Sequence, residues 1–260
     1  MHGLLSTFLS DKKGNVTFEC FGTWHFVYMA LIFASIAAAV LVLRKKDEKT
    51  RQRAVSLTAS VAFFMYIADF FLMPFAYGEI DLEKLPFHAC TAMCVMCFLC
   101  RRNSFLGKFK AQFVLLGLIS NLVYVIYPAG VGWYAIHPLS YRVVQTLLFH
   151  GIMTMQGILA LALGDVKLEW KTAHKHLALT VCMTAWALLG NLLYNGAQDR
   201  NFNWFFVTQD PFYILPKSVA PYVMPFIVIA AFFIVQMLAH IIYFGIERVV
   251  KNNRSVFTNM

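Results

Sequence analysis

Charged side chains are scarce in this sequence. Only 13% of its 260 residues are Asp, Glu, Lys or Arg, and 60% are hydrophobic, whereas soluble globular proteins have about 25% and about 45–50%. This deficit, together with a mean hydropathy of +0.63, excludes a soluble globular domain. Glycine and proline, with 14 and 8 residues, are too few for a collagen-like or low-complexity chain. The composition predicts a polytopic membrane protein.

The six cysteines do not follow the pattern of a disulfide-rich or zinc-binding protein. Four of them, from Cys90 to Cys100, recur at spacings of four, three and three residues along one apolar run. They would form a stripe on one helix, where the geometry disfavours disulfides. No second pair accompanies the bare Cys-x-x-Cys spacing, and a structural zinc site needs one. We therefore predict no metal and no cofactor.

The net charge of +9 would suit a nucleic-acid partner only if the basic residues formed one face in water. Instead, sixteen Lys and Arg residues lie in the loops on one side of the apolar runs, and five lie on the other side. An excess of Lys and Arg marks cytoplasmic loops. We therefore predict an outside N-terminus, a cytoplasmic C-terminus and no nucleic-acid partner. The expected location of this multi-pass protein is the plasma membrane.

Seven apolar runs approach the length of about 20 residues that crosses a bilayer as a helix. The predicted fold is an all-α bundle of seven transmembrane helices. A polar extracytoplasmic segment, 1–23, precedes this membrane domain (24–246), and a basic cytoplasmic tail, 247–260, follows it. The third run is short and opens with Pro86, which a first helical turn tolerates. The predicted spans are 24–43, 54–77, 85–100, 109–127, 141–163, 176–194 and 222–246.

Polar side chains are concentrated in the outer halves of five predicted spans. Such groups cost several kcal/mol in lipid unless they are paired or hydrated, so each is a candidate for function. Their similar depth predicts one wet pocket that opens beneath the outer face. The residues are Asp69, His88, Cys90, Thr91, Asn121, Arg142, Gln145, His150, Asn191 and Asn195.

Cys90 and His150 are the predicted catalytic residues. A thiol becomes a nucleophile when a base or a cation lowers its pKa. His88 is two residues from Cys90, and such residues point to different sides of a helix. The base is therefore expected from another span, and His150 is the histidine at a matching depth.

The remaining polar residues are predicted to support this pair. Side-chain amides would donate to the oxyanion, and Arg142 would hold a lipid phosphate. Asp69 would orient a histidine, or alternatively would pair with Arg142 or a histidine to hold the bundle. The two amides on span six are also typical of interhelical hydrogen bonding. The supporting residues are His88, Asn121, Gln145, Asn191, Asn195 and Asp69.

One long connection, between spans six and seven, carries the aromatic segment 203–207. An apolar, aromatic segment outside the membrane is expected to lie on its surface. It would act either as an interfacial anchor or as a lid over the pocket.

With these residues the chain resembles the YwaF-like integral membrane family, whose eukaryotic relatives include a transmembrane acyltransferase that acts on ether phospholipids. The resemblance covers most of the chain from span two onward and rests on short motifs. They are Leu85-Pro86-Phe87-His88-Ala89-Cys90, Ser140-Tyr141 through Gln145 to His150, Asn191, Asn195-Gly196, Asn203-Trp204 and Pro221-Tyr222.

The resemblance implies a seven-helix bundle in which a cysteine and a histidine carry acyl chemistry on membrane phospholipids. His150 matches the histidine of the family's fifth span. In the eukaryotic branch the cysteine follows the proline directly, and that position is Phe87 here. The nucleophile has therefore moved to Cys90, or the activity is lost. Related androgen-induced-gene-type lipid hydrolases use a threonine, so Thr91 is a second candidate.

Two other functions stay open from the sequence. A proton-linked transporter of small solutes would use Asp69, His88 and His150 as a relay. A membrane receptor or scaffold fits the outside N-terminus but explains no particular residue. The leading hypothesis is a lipid acyltransferase or acyl hydrolase.

Overall fold

The computed structural model describes residues 7–9, 16–78, 80–100, 105–132, 135–198 and 202–258. Throughout these residues the regular secondary structure is helical, which confirms the all-α prediction. The chain forms two compact units, Met1–Val166 and Lys167–Met260. Parts of the predicted polar segment 1–23 and the end of the tail 247–260 lie outside the described residues.

Seven helices have eleven residues or more within the described ranges. The N-terminal unit contains α1 to α5, and the C-terminal unit contains α6 and α7. Their bounds are α1 Thr23–Leu43, α2 Glu48–Tyr77, α3 Ala89–Leu99, α4 Lys110–Ile126, α5 Tyr141–Ala162, α6 Ala173–Gln198 and α7 Ala220–Thr258.

All of these helices except α3 belong to segments long and apolar enough to cross a bilayer, six in the described part of the chain. Lipid leaves backbone polar groups without partners, so helices of this kind are the form a chain takes in a membrane. The protein is an integral, multi-pass membrane protein.

Helix α3 is much shorter than the predicted span 85–100. Its eleven residues rise about 16 Å, about half of a hydrocarbon core of about 30 Å. The chain turns before it, where the Phe87 backbone N–H donates to the Leu85 carbonyl at 2.7 Å. His88 has extended backbone angles and occupies the N-cap position. Because Pro86 and the turn occupy the start of the predicted run, the helix begins only at Ala89.

Helix α5 is the most deeply buried of the long helices in the N-terminal unit, and it packs against α1, α2 and α4. Glycines allow these close approaches. A Cβ added at Gly157 would lie 2.6 Å from the Cβ of Leu118 on α4, and one at Gly151 would lie 2.9 Å from Ile32 on α1. Small residues at helix contacts are typical of membrane bundles.

Capping side chains begin α2 and α5, two of the helices that bring polar groups into this unit. Asp47 accepts the backbone N–H of Thr50 at 2.9 Å at the start of α2. Ser140 accepts the N–H of Val143 at 3.4 Å at the start of α5. Gly78 ends α2 with a positive φ of 77°, a conformation that glycine adopts without strain. Asp69 lies on α2, and the chain after Gly78 leads to the turn that precedes α3.

Candidate functional site

A buried ion pair connects α2 with the turn before α3. Asp69 is 1% exposed, and its Oδ2 lies 2.5 Å from Nζ of Lys84. Tyr141, the first residue of α5, donates its hydroxyl proton to Asp69 Oδ1 at 2.7 Å. Both carboxylate oxygens are therefore occupied. The partner of Asp69 is a lysine from the loop, and neither Arg142 nor a histidine takes that position.

Lys84 links this pair to the middle of the unit. Its ammonium group also donates to Gln145 Oε1 on α5 at 3.1 Å, and its backbone carbonyl accepts the Tyr66 hydroxyl at 2.8 Å. The Lys84 side chain is 21% exposed, and its partners are an anion and a neutral acceptor. Residues from α2, α5 and the turn thus hold a fixed positive charge at this point.

His150 lies on α5, more than one turn beyond Gln145, and it is fixed in one tautomer. Its Nδ1 is 2.7 Å from Asn121 Oδ1 on α4, and Asn121 Nδ2 donates to the Gly117 carbonyl at 2.7 Å. That carbonyl only accepts, so the amide nitrogen faces it and the amide oxygen faces His150. His150 Nδ1 therefore carries the proton, and Nε2 is the basic nitrogen.

Packing restricts the His150 ring further. Tyr124, one turn after Asn121 on α4, stacks on it with a centroid distance of 3.9 Å and an interplanar angle of 17°. Lys84 and His88 lie close enough to act on His150 electrostatically. The result is a buried, oriented imidazole next to a fixed positive charge.

The first turn of α3 brings the predicted nucleophiles to the same unit. Cys90 is half-buried, and Lys84 is near enough for its charge to act on the thiol. Thr91 is buried and donates its hydroxyl to the His88 carbonyl at 3.1 Å. Among the described residues no hydrogen bond joins Cys90 Sγ to His150. The structure therefore shows common neighbours for Cys90 and His150 but, among the described residues, no hydrogen bond between them.

Arg142 begins a second charged group at the start of α5. Its Nη1 lies 3.6 Å from Asp81 Oδ2, and its guanidinium lies 4.9 Å from the centre of the Tyr77 ring. The Tyr77 hydroxyl also accepts the backbone N–H of Arg142 at 3.2 Å. The guanidinium is thus positioned by α2 and by the loop that follows it.

The two asparagines of span six belong to the C-terminal unit, where they hold a loop. Asn195 exchanges two hydrogen bonds with the backbone of Phe202, at 2.9 and 2.6 Å. Asn191 does the same with Trp204, at 3.3 and 3.0 Å. An irregular loop leaves backbone groups without partners, and these amides supply them. Their observed partners are loop backbone atoms, not a neighbouring helix.

The aromatic segment 203–207 was expected on the membrane surface as an anchor or a lid, and most of it is buried within the C-terminal unit, not exposed as an anchor would be. Trp204 and Phe205 are 1% and 2% exposed. Trp204 stacks on Phe202 with a centroid distance of 4.4 Å, and Phe205 packs on Phe232 of α7. The hydrogen bonds from the two asparagines hold the backbone of this part of the loop against α6, and its aromatic side chains are buried there.

The exposed apolar side chains of this connection come a few residues later. Asp210 accepts the backbone N–H groups of Leu215, Phe212 and Ile214, and these hydrogen bonds hold the pKa of its carboxyl below the usual value. The turn they close presents Phe212, Tyr213 and Ile214, which are 70%, 86% and 80% exposed. This favours an interfacial anchor at this turn.

The residues Asp69, Lys84, Asn121, Tyr141, Gln145 and His150 form what we call the polar cluster of the N-terminal unit. Lys84 and Tyr124 were missed from sequence, and Tyr141 was named only as part of a family motif, because a loop lysine and a helix-end tyrosine are common in membrane proteins. One signal was present: a buried acid such as Asp69 needs a cation, and Lys84 is the lysine in the loop directly after its helix.

Among the described residues no group of three or more His, Cys, Asp or Glu side chains is arranged to hold a metal ion. The chemistry available to the polar cluster is that of a base, a fixed cation and nearby thiol and hydroxyl groups.

Comparison with known proteins gives one family. No curated protein and no solved structure matches the chain. A family model, described as the TMEM164 family, matches residues 20–246, a range that includes every residue of the polar cluster. Since that match covers most of the sequence, this integral membrane protein belongs to the TMEM164 family.

Proposed function

We propose that this protein transfers acyl groups between membrane lipids, or hydrolyses them, with His150 as the general base. The observation that carries the proposal is the hydrogen bond that His150 Nδ1 donates to Asn121 Oδ1. It leaves Nε2 to accept a proton, and a histidine oriented by an asparagine is one of the known forms of a nucleophile–base–orienter arrangement. The YwaF-like resemblance supports the same chemistry.

Cys90 is the proposed nucleophile, and Thr91 is the weaker candidate. The Thr91 hydroxyl already donates to a backbone carbonyl, whereas the Cys90 thiol lies near the positive charge of Lys84. A thiol is also intrinsically the stronger nucleophile of the two groups. The missing contact between Cys90 and His150 would form when substrate binds, since catalytic hydrogen bonds are often long before that step.

In the proposed reaction Cys90 Sγ attacks the ester carbonyl carbon of a phospholipid while its proton moves to His150 Nε2. The carbon–oxygen ester bond breaks, and the leaving lipid alcohol takes that proton, so that a thioester remains on Cys90. A second lipid hydroxyl, or water, then attacks the thioester and gives its proton to His150. Release of the Cys90 thiolate, which takes the proton back, completes the cycle.

The other polar residues receive supporting roles in this proposal. The Lys84 ammonium, held by Asp69 and Gln145, stabilises negative charge that develops near the carbonyl. Arg142 would contact the lipid phosphate. The role first expected for Asp69, orienting a histidine, passes to Asn121. Asn191 and Asn195 hold the loop of the C-terminal unit, and His88 is an electrostatic neighbour of the base.

Labelling and turnover together test the proposal. A thiol-reactive, lipid-like acyl probe is applied to intact membranes, and the modified residue is mapped by mass spectrometry. We expect Cys90 to be labelled, and we expect Cys90→Ala and His150→Ala to abolish turnover of a phospholipid substrate. Asn121→Ala should lower the rate by about 10²-fold, because the base loses its orientation.

Matched controls make the result interpretable. Cys94→Ala removes the next thiol on α3, and Thr91→Val removes the hydroxyl beside Cys90; both should keep turnover. Loss of turnover in Thr91→Val with Cys90→Ala active would move the nucleophile to Thr91. Full turnover in Cys90→Ala, Thr91→Val and His150→Ala would contradict the mechanism.

We also propose that the protein lies in the plasma membrane with seven spans, an outside N-terminus and a cytoplasmic C-terminus. The bias of Lys and Arg between alternate loops supports the orientation, and α3 with its flanking turn would be the remaining span. Reporter fusions at the two termini should report opposite sides of the membrane. Termini on the same side would show that α3 does not cross.

A further inference from the structure

The C-terminal unit contains a second set of buried polar side chains that the proposed function does not use. His176 and Thr180 lie one turn apart on α6, and Gln236 and His240 lie one turn apart on α7. All four are 0% exposed. The rings of His176 and His240 have centroids 4.8 Å apart with an interplanar angle of 85°. We call these two residues the histidine pair.

Most of the polar atoms around the histidine pair have no partner. Gln236 Nε2 donates to Thr180 Oγ1 at 3.1 Å, and Thr180 Oγ1 donates to the His176 carbonyl at 3.0 Å. Within the described ranges, neither ring nitrogen of His176, nor His240 Nε2, nor Gln236 Oε1 has a hydrogen-bond partner. Polar groups that only join helices are normally paired with each other, so these atoms are available to a ligand.

The tautomer of His240 shows what kind of occupant fits. Its Nδ1 lies 3.0 Å from the Gln236 backbone carbonyl, which only accepts hydrogen bonds, so Nδ1 is protonated and Nε2 presents a lone pair. Metal-bound histidines almost always donate their other ring N–H in this way. Trp170 covers the ring, at a centroid distance of 5.3 Å, and stacks on Phe244.

We propose that His176 and His240 bind one divalent transition-metal ion of the zinc type, with Gln236 Oε1 as a third donor. Two imidazoles on one ion at 2.0–2.1 Å place their ring centres about 5 Å apart at a tetrahedral angle, and the observed 4.8 Å agrees. Neutral imidazole selects zinc, copper or nickel over calcium and magnesium. Two histidines and an amide oxygen leave a fourth position for water.

Metal binding by the full-length protein in detergent tests this site. Metal-free protein is titrated with Co²⁺, whose visible absorption reports tetrahedral coordination, and then with Zn²⁺, which is counted by elemental analysis. We expect one ion per chain. His176→Ala and His240→Ala should each weaken binding by at least about tenfold, whereas His174→Ala, an exposed histidine on the same helix, should bind like the wild type.

A second variant separates a metal site from a structural histidine pair. Gln236→Glu adds a carboxylate beside the ion, so it should tighten Zn²⁺ binding and raise the unfolding temperature only when Zn²⁺ is present. The wild-type titration needs no variant to fold. Absence of stoichiometric Co²⁺ or Zn²⁺ on the wild type would overturn the proposal, and so would binding that both histidine variants retain.

Discussion

The polar cluster of the N-terminal unit and the histidine pair of the C-terminal unit differ in how their buried polar groups are paired. In the N-terminal unit Asp69, Lys84 and the Asn121 amide all have partners in the structure itself. In the C-terminal unit His176, His240 and Gln236 retain buried atoms without partners. Asp69 and Asn121 are as fully buried as the histidine pair, so for these residues the difference lies in complementarity and not in access to solvent.

This contrast separates two ways of preparing a site. Where every polar group is paired, its direction is fixed before a ligand arrives, and that is the condition for electrostatic catalysis. Where groups are left without partners, their desolvation is a free-energy cost that a ligand would remove. The polar cluster therefore fits chemistry on a transient substrate, and the histidine pair fits a resident ion.

The ion pair of the N-terminal unit offers the largest effect. Asp69→Leu removes the anion and leaves the Lys84 ammonium without its partner, so the free energy of unfolding should fall by about 3 kcal/mol. Thermal unfolding in detergent measures it. The double variant Asp69→Leu, Lys84→Met should recover most of that loss, because no buried charge remains.

The double variant also provides the outcome that would contradict this prediction. If it is as unstable as Asp69→Leu alone, the loss does not come from an unpaired charge. The comparison between satisfied and unsatisfied groups would then lose its electrostatic basis in this unit.

Helix packing gives a second contrast between the units. A Cβ at Gly157 on α5 would meet the Leu118 Cβ at 2.6 Å, whereas a Cβ at Gly245 on α7 has nothing within 4 Å. Gly157→Ala should therefore destabilise the protein by about 2 kcal/mol. Gly245→Ala should stabilise it by up to about 1 kcal/mol, because alanine favours helix more than glycine does.

Unfolding temperatures of these two alanine variants provide the measurement. Shifts of the same sign would contradict the prediction that the close approach of α4 and α5 leaves no room for a side chain at Gly157.

The smallest expected effect concerns two threonines. Thr154 on α5 is 0% exposed, and its Oγ1 donates to the His150 carbonyl at 2.8 Å. Thr184 on α6 is 3% exposed, and its Oγ1 has no partner among the described residues. Thr154→Val should lower the free energy of unfolding by about 1 kcal/mol, and Thr184→Val should raise it by about 0.5 kcal/mol.

Equilibrium unfolding of this matched pair tests the comparison directly, since both changes replace a hydroxyl by a methyl group. Destabilisation by Thr184→Val equal to that by Thr154→Val would mean that the Thr184 hydroxyl has a partner after all.

The long helices could be predicted because each follows from a continuous run of apolar residues. Helix α5 begins at Tyr141, where the apolar run begins and Ser140 supplies a cap. Helix α3 could not be predicted in length, since the turn at Leu85–His88 depends on contacts such as the Tyr66 hydroxyl on the Lys84 carbonyl. Apolar composition alone does not separate a turn from a helix there.

The candidate site was predicted only in part. Asp69, Asn121, Gln145 and His150 were recognised because polar groups within apolar runs are conspicuous. Lys84 was overlooked, since a lysine between two spans is ordinary. The Cys90–His150 pair stays a prediction.

Composition and the spacing of apolar runs by themselves determined that this chain lies in a membrane as helices. The reason is that lipid offers no hydrogen-bond partners to backbone N–H and C=O groups, whereas a helix pairs them internally. Tertiary structure alone decided which polar groups meet. Tyr141 and Asp69 are 72 residues apart, and Lys84 and Gln145 are 61 apart. Contacts between such distant residues depend on how the helices pack around α5. The same packing decides which ring nitrogen of His150 stays basic.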